Sequence, residues 1–187
     1  MSTFAVVLLA SGLTCLVTTG GIIVVYRYAE WANRRATYLI AFAAGILVAV
    51  SFMHLVPEAF EINPSAPIFL LGGFLGIHLA NRFMNLYLGH DHADGHDVSS
   101  ILAVLGIGFH SLIDGAIHTV TFNVSILTGV LAAIGMILHE FPEGIVSFVL
   151  LERAGLSRRK AAVYAFLAAA ASTPIGALIS YPFIQDI

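Results

Sequence analysis

Long apolar stretches constrain the fold of this chain more than any other feature of its sequence. A run of about 20 mainly apolar residues is long enough, as a helix, to cross the hydrocarbon core of a bilayer. Six such stretches can be counted, at about residues 4–26, 36–60, 66–88, 99–121, 125–151 and 161–183. The sequence therefore predicts an all-α polytopic membrane protein with six transmembrane helices, forming a single transmembrane domain over residues 1–187.

The composition agrees with a membrane location. Of the 187 residues, 59% are hydrophobic and only 10% are charged, whereas soluble domains carry about 25% charged residues. The net charge of -3 at pH 7 is small, and the basic residues lie near the ends of the apolar stretches, which argues against nucleic-acid binding. Cys15 is the one cysteine, so an internal disulfide and a cysteine-rich zinc site are excluded.

Basic residues predict the orientation of the chain in the membrane. All eight Lys and Arg residues fall near the junctions that follow the first, third and fifth stretches: Arg27, Arg34, Arg35, Arg82, Arg153, Arg158, Arg159 and Lys160. Cytoplasmic loops carry an excess of Lys and Arg, so these junctions are predicted to be cytoplasmic, with the N-terminus outside. We expect an integral protein of a bacterial cytoplasmic (inner) membrane.

Two short polar runs interrupt the fourth and fifth stretches. The first, HSLIDG, begins at His110, and the second, HEFPEG, begins at His139. In each run a carboxylate follows the histidine by four residues, so His110 and Asp114 share one helix face, as do His139 and Glu143. The short link between the stretches makes the two helices antiparallel neighbours, and a rise of about 1.5 Å per residue places both histidines roughly 16 to 18 Å deep. The two runs are therefore predicted to meet near the bilayer centre.

Ionisable side chains at this depth are costly and indicate a function. Imidazole nitrogens together with carboxylate oxygens suit a divalent transition metal better than calcium or magnesium. The alternative is a buried network that only ties two helices together. No Lys or Arg lies near this depth in the sequence to neutralise Asp114, Glu140 and Glu143, so metal or proton traffic is favoured over that alternative.

The two runs resemble the signature of the ZIP family of divalent metal transporters. The fourth and fifth helices of that family carry motifs of the form H-[NS]-x-x-[DE]-G and H-E-x-P-[EH], which HSLIDG and HEFPEG match. The sequence HLVPEA, from His54 to Ala59, is similar to a segment of the family's second helix. The resemblance implies a fold in which two inverted three-helix repeats enclose helices four and five. It also implies a metal transport site formed by His110, Asp114, His139, Glu140 and Glu143.

Two features depart from the family pattern. Family members often have eight spanning helices, whereas this sequence shows six. Members that bind two metals place an Asn at the position of Ser111 and a Glu immediately before the proline of helix six, where this chain has Thr173. Hydroxyls are weak, neutral ligands, so these two residues are predicted to hold a secondary metal only weakly. We therefore expect one firmly bound metal rather than two.

Further histidines extend beyond the two runs. His118 follows Asp114 by four residues and is either a relay ligand or a packing residue. His54 and Glu58 form another i, i+4 pair near the outer end of the second stretch, either as pathway ligands or as an interfacial helix end. The predicted cytoplasmic loop at residues 89–100 is rich in His and Asp, and weak metal capture is favoured over an ordinary connector. Its histidines are His90, His92 and His96.

These features predict a transporter that imports divalent transition-metal ions, zinc first among them, by alternating access. Iron(II), cadmium, manganese and cobalt also suit a mixed nitrogen and oxygen site. The metal is the transported substrate, and neither a cofactor nor an enzymatic activity is expected. One alternative is an intramembrane zinc-dependent hydrolase, which is disfavoured because the HExxH signature is incomplete. Another is a structural or sensory protein with a non-exchanging metal. The expected partners are the metal ion and the lipid bilayer, and homodimer formation is left open.

Overall fold

The computed structural model describes residues 2–28, 34, 38, 41–42, 44–45, 48–49, 51–87 and 98–184. Every regular element in these residues is a helix, and no β-strand occurs among them. In chain order the elements are α1 (Thr3–Arg27), a π-helical turn (Ser51–Leu55), α2 (Val56–Ile62), α3 (Ala66–Tyr87), α4 (Val98–Val124), α5 (Ile126–Arg153), α6 (Arg158–Ala165), a second π-helical turn (Phe166–Ala170) and α7 (Ser172–Ile184). The predicted all-α class is confirmed.

Four helical segments within the described residues are long and apolar enough to cross a membrane. They are α1, most of α4, α5, and the combined segment of α6, the second π-helical turn and α7. Their ends agree with the first, fourth, fifth and sixth predicted stretches to within a few residues. The apolar part of α3 is shorter, at Ala66–Ala80, and much of the second predicted stretch lies outside the described residues. The count of six spanning helices therefore stays a prediction.

The described helices pack around α5, which lies against both α1 and α4, while α4 packs along α7. Two apolar clusters stabilise this arrangement. One joins the C-terminal halves of α1 and α5 to α6 and includes Ile22 and Phe148. The other includes Val7 of α1 and Phe122 of α4. The two polar runs lie between these clusters along the helices, so apolar side chains separate them from both helix ends.

Glycines allow α1 and α5 to approach to backbone contact. A Cβ atom added at Gly21 would collide with the carbonyl oxygen of Phe141, and one added at Gly144 would collide with the carbonyl oxygen of Thr18. Small residues permit such close approach between membrane helices, where packing rather than the hydrophobic effect drives association. The contact brings Thr18 beside the polar run of α5.

Gly115 and Gly176 form the same kind of contact between α4 and α7. A Cβ atom added at Gly115 would collide with the carbonyl oxygen of Thr173, and one added at Gly176 would collide with that of Leu112. Because both glycines are needed at one crossing, the position of α7 along α4 is fixed. The crossing places Thr173 at the level of the polar run of α4.

A π-helical turn separates α6 from α7. The amide of Ala171 donates to the carbonyl oxygen of Phe166 over 2.8 Å, which is the i to i−5 pattern of a π-helix. Pro174 has no backbone N–H and so removes a helical donor from the turn before it. The hydroxyl of Ser172 donates to a carbonyl oxygen in this turn. The proline follows the irregular turn and sits in the first turn of α7, where a proline is tolerated.

Arg158 joins the start of α6 to the end of α1. Its guanidinium donates to the carbonyl oxygen of Tyr26 over 2.5 Å and lies over the Tyr26 ring, 5.4 Å from its centroid. Its Nε also pairs with Glu152 over 3.1 Å. A cation at the C-terminus of a helix complements the helix dipole. These contacts hold the end of α1 against the junction of α5 and α6.

Candidate metal centre

The two polar runs meet midway along α4 and α5, as predicted. The ring centroids of His110 and His139 lie 5.6 Å apart. Nε2 of His139 lies 3.0 Å from Oδ2 of Asp114, and Nε2 of His110 lies 3.6 Å from the same oxygen. Ligand atoms of these three residues all lie within 4.8 Å of one another. Ligands of a tetrahedral zinc stand roughly 3.5 Å apart, so this spacing can accommodate one metal ion.

The carboxylates around this cluster are buried without a basic partner. Asp114, Glu140 and Glu143 are all buried, whereas His110 keeps 35% of its side chain exposed. Within the described ranges, no Lys or Arg forms an ion pair with any of these carboxylates. An uncompensated buried charge costs of order several kcal/mol. The arrangement therefore favours binding of a cation.

Both ring nitrogens of His139 face hydrogen-bond acceptors. Nδ1 lies 3.2 Å from the carbonyl oxygen of Gly135, and Nε2 lies 3.0 Å from the Asp114 carboxylate. Neutral imidazole carries only one N–H. If Nδ1 donates to the carbonyl, the space between Nε2 and Asp114 requires a cation, which is either a proton or a metal ion.

Ser111 orients the carboxylate of Glu143. Its hydroxyl donates to Oε1 of Glu143 over 2.8 Å. The other oxygen, Oε2, lies 4.0 Å from Nε2 of His110. Both of these facing atoms are buried and form no hydrogen bond with a described residue. Both are therefore available as ligands beside the three-residue cluster.

Glu140 is held by threonines from two other helices. Thr18 of α1 donates to its Oε2, and Thr173 of α7 donates to its Oε1 over 3.2 Å. Neither Glu140 nor Glu143 belongs to the group of ligand atoms that all lie within 4.8 Å of one another, and Glu140 differs from Glu143 in having both carboxylate oxygens engaged by hydroxyls. Glu140 follows His139 in sequence, but its carboxylate accepts hydrogen bonds from hydroxyls. Its role as a metal ligand therefore stays a prediction.

A buried stripe of hydroxyls on α1 was missed by sequence reasoning, which treated this helix as uniformly apolar. Ser11, Thr14 and Thr18 are buried and recur three and four residues apart, so they share one helix face. Thr18 contacts Glu140, and Thr14 contacts His118. The spacing was the available signal, because polar residues at helical intervals in an apolar stretch mark the face that packs against other helices.

His118 packs against α1 at the end of this stripe. Its Nε2 lies 3.1 Å from the Thr14 hydroxyl, and its ring stacks on that of Phe122 with 6.3 Å between centroids. The ring is fully buried. The structure thus gives His118 a side-chain partner on another helix, at a position one turn beyond Asp114.

The remaining predicted pathway residues lie outside the described side chains. His54 and Glu58 fall in helical segments, but their side chains are not among those described. His90, His92 and His96 lie within residues 88–97, which are outside the described residues. The predicted loop at 89–100 is too long at its end, because α4 already begins at Val98. Their proposed roles in metal capture or passage stay predictions.

Comparison with known proteins assigns the chain to a family. The family model of the ZIP zinc transporters matches residues 3–97 and 89–182. The zinc transporter ZupT of Shigella dysenteriae serotype 1 (strain Sd197) is 28% identical over 118 residues, which cover 63% of this chain and 39% of that protein. ZupT of Escherichia coli O9:H4 (strain HS) is 27% identical with the same coverage. The match thus spans less than half the length of these relatives. Because the family model covers nearly the whole chain, this protein belongs to the ZIP zinc transporter family.

Proposed function

We propose that this chain carries divalent transition-metal ions, zinc first among them, into the cell across a bacterial cytoplasmic membrane. The ZIP family consists of membrane transporters and not of enzymes, and the two ZupT relatives are zinc transporters by name. The long apolar helices support placement in a bilayer. The inward direction rests on the orientation predicted from the basic junctions. A single transmembrane domain over 1–187 and its His/Asp-rich loop, predicted at 89–100, belong to the same proposal.

The geometry of His139 is the observation that carries this proposal. In the tautomer whose Nδ1 donates to the Gly135 carbonyl, Nε2 carries the lone pair and lies 3.0 Å from the Asp114 carboxylate. Two electron-rich atoms at this separation repel each other unless a cation binds both. Metal-binding histidines commonly donate their other N–H to a carbonyl oxygen, which orients the ring. A divalent metal therefore accounts for the arrangement.

The resting ligands in this proposal are His110, Asp114, His139 and Glu143. Two nitrogens and two oxygens match the four-coordinate preference of zinc. Calcium and magnesium favour ligand sets of oxygen alone, with more ligands or more water. Iron(II), cadmium, manganese and cobalt remain within the proposed substrate class, because affinity alone does not select among them.

Glu140 is the proposed fifth ligand and would bind in another step of the transport cycle. Its carboxylate has acceptor sites besides the two that receive the hydroxyls of Thr18 and Thr173, and it would use one of them to bind the metal when the helices move. Alternating access requires ligands that can be gained and lost as the site opens to each side. A carboxylate oriented by two hydroxyls is suited to this role, because these partners are neutral and leave its charge available to the metal.

We propose one firmly bound metal per chain. The hydroxyls of Ser111 and Thr173 each donate to a carboxylate of the centre. They contribute no negative charge and can add only a weak neutral oxygen. A second ion in their vicinity would therefore bind weakly.

Zinc uptake by the purified chain in proteoliposomes tests the proposal. His139→Ala and Glu143→Ala should each abolish most uptake and reduce the zinc retained per chain, because each removes a ligand. His78→Ala serves as the control, since His78 lies on an exposed face of α3, stacked on Phe74. This variant should transport like the unaltered chain.

Two results would contradict the proposal. Undiminished uptake in both ligand variants would place the transport site elsewhere. Zinc that stays bound without flux or exchange would favour a structural or sensory role. Elemental analysis of the purified chain distinguishes these two results. If the transport site lies elsewhere, the two ligand variants retain as much zinc as the unaltered chain. If the centre is structural or sensory, both variants retain less zinc.

A further inference from the structure

His118 is a buried histidine that the proposed ligand set leaves unused. It lies on α4 one helical turn from Asp114 toward the Val124 end, so the two residues share a helix face. The ring is fully buried, with Thr14 of α1 on one side and the Phe122 ring stacked on it. These two neighbours fix the orientation of the imidazole.

The contacts of Thr14 favour the tautomer of His118 in which Nε2 carries the proton. The Thr14 hydroxyl lies 2.8 Å from the carbonyl oxygen of Ala10 and 3.1 Å from Nε2 of His118. The Ala10 carbonyl oxygen can only accept. In the tautomer that makes both contacts hydrogen bonds, the single hydroxyl proton of Thr14 is donated to Ala10 and Nε2–H of His118 donates to the hydroxyl oxygen. The lone pair of neutral His118 is then on Nδ1.

Nδ1 of His118 has no partner to satisfy this lone pair. The atom is buried and forms no hydrogen bond with any residue in the described ranges. A buried acceptor without a donor is unfavourable in a packed protein. An oriented imidazole nitrogen with a free lone pair is also a good ligand for a divalent transition metal.

We propose that Nδ1 of His118, together with the Asp114 carboxylate, forms a transient binding station for the divalent transition metal beside the main centre. This inference rests on the proposed transport function. Side chains at i and i+4 stand about 5 to 6 Å apart at their Cβ atoms, so one ion can be shared between them. Asp114 also contacts His139 in the main centre. It can therefore pass the ion from one site to the other.

The composition of the station suits a passing ion. One imidazole and one carboxylate, completed by water, bind a metal less tightly than the four-ligand centre. Transport needs intermediate sites that attract the ion and still release it. In the predicted orientation the Val124 end of α4 faces outside, so His118 would receive the incoming ion before His110 and His139.

The first test compares two substitutions at His118 in proteoliposomes. His118→Gln keeps an amide N–H near the Nε2 position for Thr14 but has no ligand at the Nδ1 position, whereas His118→Asn places its amide oxygen near Nδ1. The kcat/KM for zinc uptake should fall on the order of tenfold in His118→Gln and by less in His118→Asn. His78→Gln, the same change on the exposed face of α3, should leave uptake unchanged.

The second test measures the station directly. Cd²⁺ retained by the detergent-purified chain is counted in a His110→Ala/His139→Ala background, which disables the main centre. This double variant should still retain Cd²⁺ weakly, and adding His118→Gln should remove it. Thr14→Val provides an independent variant that keeps the ring in place. It should lower kcat/KM severalfold, because Nδ1 is then no longer fixed as the lone-pair nitrogen.

The possible results separate the station from the transport function. Unchanged uptake in His118→Gln and Thr14→Val, or equal Cd²⁺ in the double and triple variants, would overturn the station while leaving the main centre intact. Equal losses in His118→Gln and His118→Asn would also overturn it, because a packing role does not distinguish the two amides. Failure of the proposed function would instead appear as no uptake by the unaltered chain. If His118→Gln does not fold, the kcat/KM of Thr14→Val decides whether the station exists.

Discussion

Thr18 of α1 donates a hydrogen bond to Glu140 of α5 at the level where the two polar runs meet. Thr173 of α7 donates to the other oxygen of the same carboxylate. Three helices thus converge on one buried side chain. α1 is therefore part of the candidate centre, and its position depends on the glycine contacts that bring its backbone against α5.

Thr18→Val should weaken zinc binding. The substitution keeps the shape of the side chain but removes the donor to Glu140, and loss of a group that supports a metal site typically costs about 10- to 100-fold in affinity or activity. Isothermal titration of the purified chain with zinc measures the effect. Thr19→Val is a matched control, because the Thr19 hydroxyl bonds the Cys15 carbonyl of its own helix, over 2.7 Å. Equal affinities in the two variants would show that Glu140 does not depend on α1.

Gly21→Ala should destabilise the protein, whereas its neighbour Gly20→Ala should not. A Cβ atom at Gly21 would collide with the Phe141 carbonyl oxygen, but one at Gly20 meets nothing within 4 Å. Overpacking of this kind costs about 1–3 kcal/mol, while Gly→Ala in an open helix position is neutral or stabilising by up to about 1 kcal/mol. Reversible unfolding in mixed detergent micelles measures both. Similar stabilities would contradict the close backbone approach of α1 and α5.

Zinc affinity should decrease as the pH is lowered. Imidazole and carboxylate ligands must lose their protons to coordinate a metal, so protons compete with zinc and acid favours the metal-free form. The loss is expected to begin at about pH 6.5, where imidazole takes up protons, and to continue to about pH 4, where carboxyl groups follow. Calorimetric titrations in buffers of different ionisation enthalpy give the number of protons released on binding. Binding that releases no proton at any pH would argue against the histidine and carboxylate ligands.

The meeting of the two polar runs could be predicted from sequence because it depends on helix periodicity and on a short link. His110 and Asp114 share a face by spacing alone. The antiparallel arrangement then brings them to His139, and the structure places the two histidine rings 5.6 Å apart. Local geometry and chain connectivity suffice for this part of the site.

The partners supplied by α1 and α7 could not be predicted in the same way. Which helices lie beside α4 and α5 depends on tertiary contacts such as those at Gly115 and Gly144, and no local rule pairs Thr18 with Glu140. The sequence identified Thr173 as a position that lacks a charged ligand. Only the fold shows that its hydroxyl supports Glu140 instead.

Replacing the two hydroxyl residues should create a second metal site. In ZIP family members that bind two metals, an Asn and a Glu occupy the positions of Ser111 and Thr173, so Ser111→Asn/Thr173→Glu adds an amide oxygen and a carboxylate. The new carboxylate would be buried beside Glu140, where it is unfavourable without a cation. Zinc should therefore raise the melting temperature of the double variant more than that of the unaltered chain.

The bound zinc, counted by elemental analysis, should rise from one to two per chain in that double variant. Thr173→Val is the matched control, because it removes the hydrogen bond to Glu140 without adding a ligand, and its count should stay at one or fall. The hydroxyls of Ser111 and Thr173 supply no charge, and a second dication beside the first is repelled unless a further carboxylate compensates it. A count of two in the unaltered chain would show that Glu140 and Glu143 already provide that compensation.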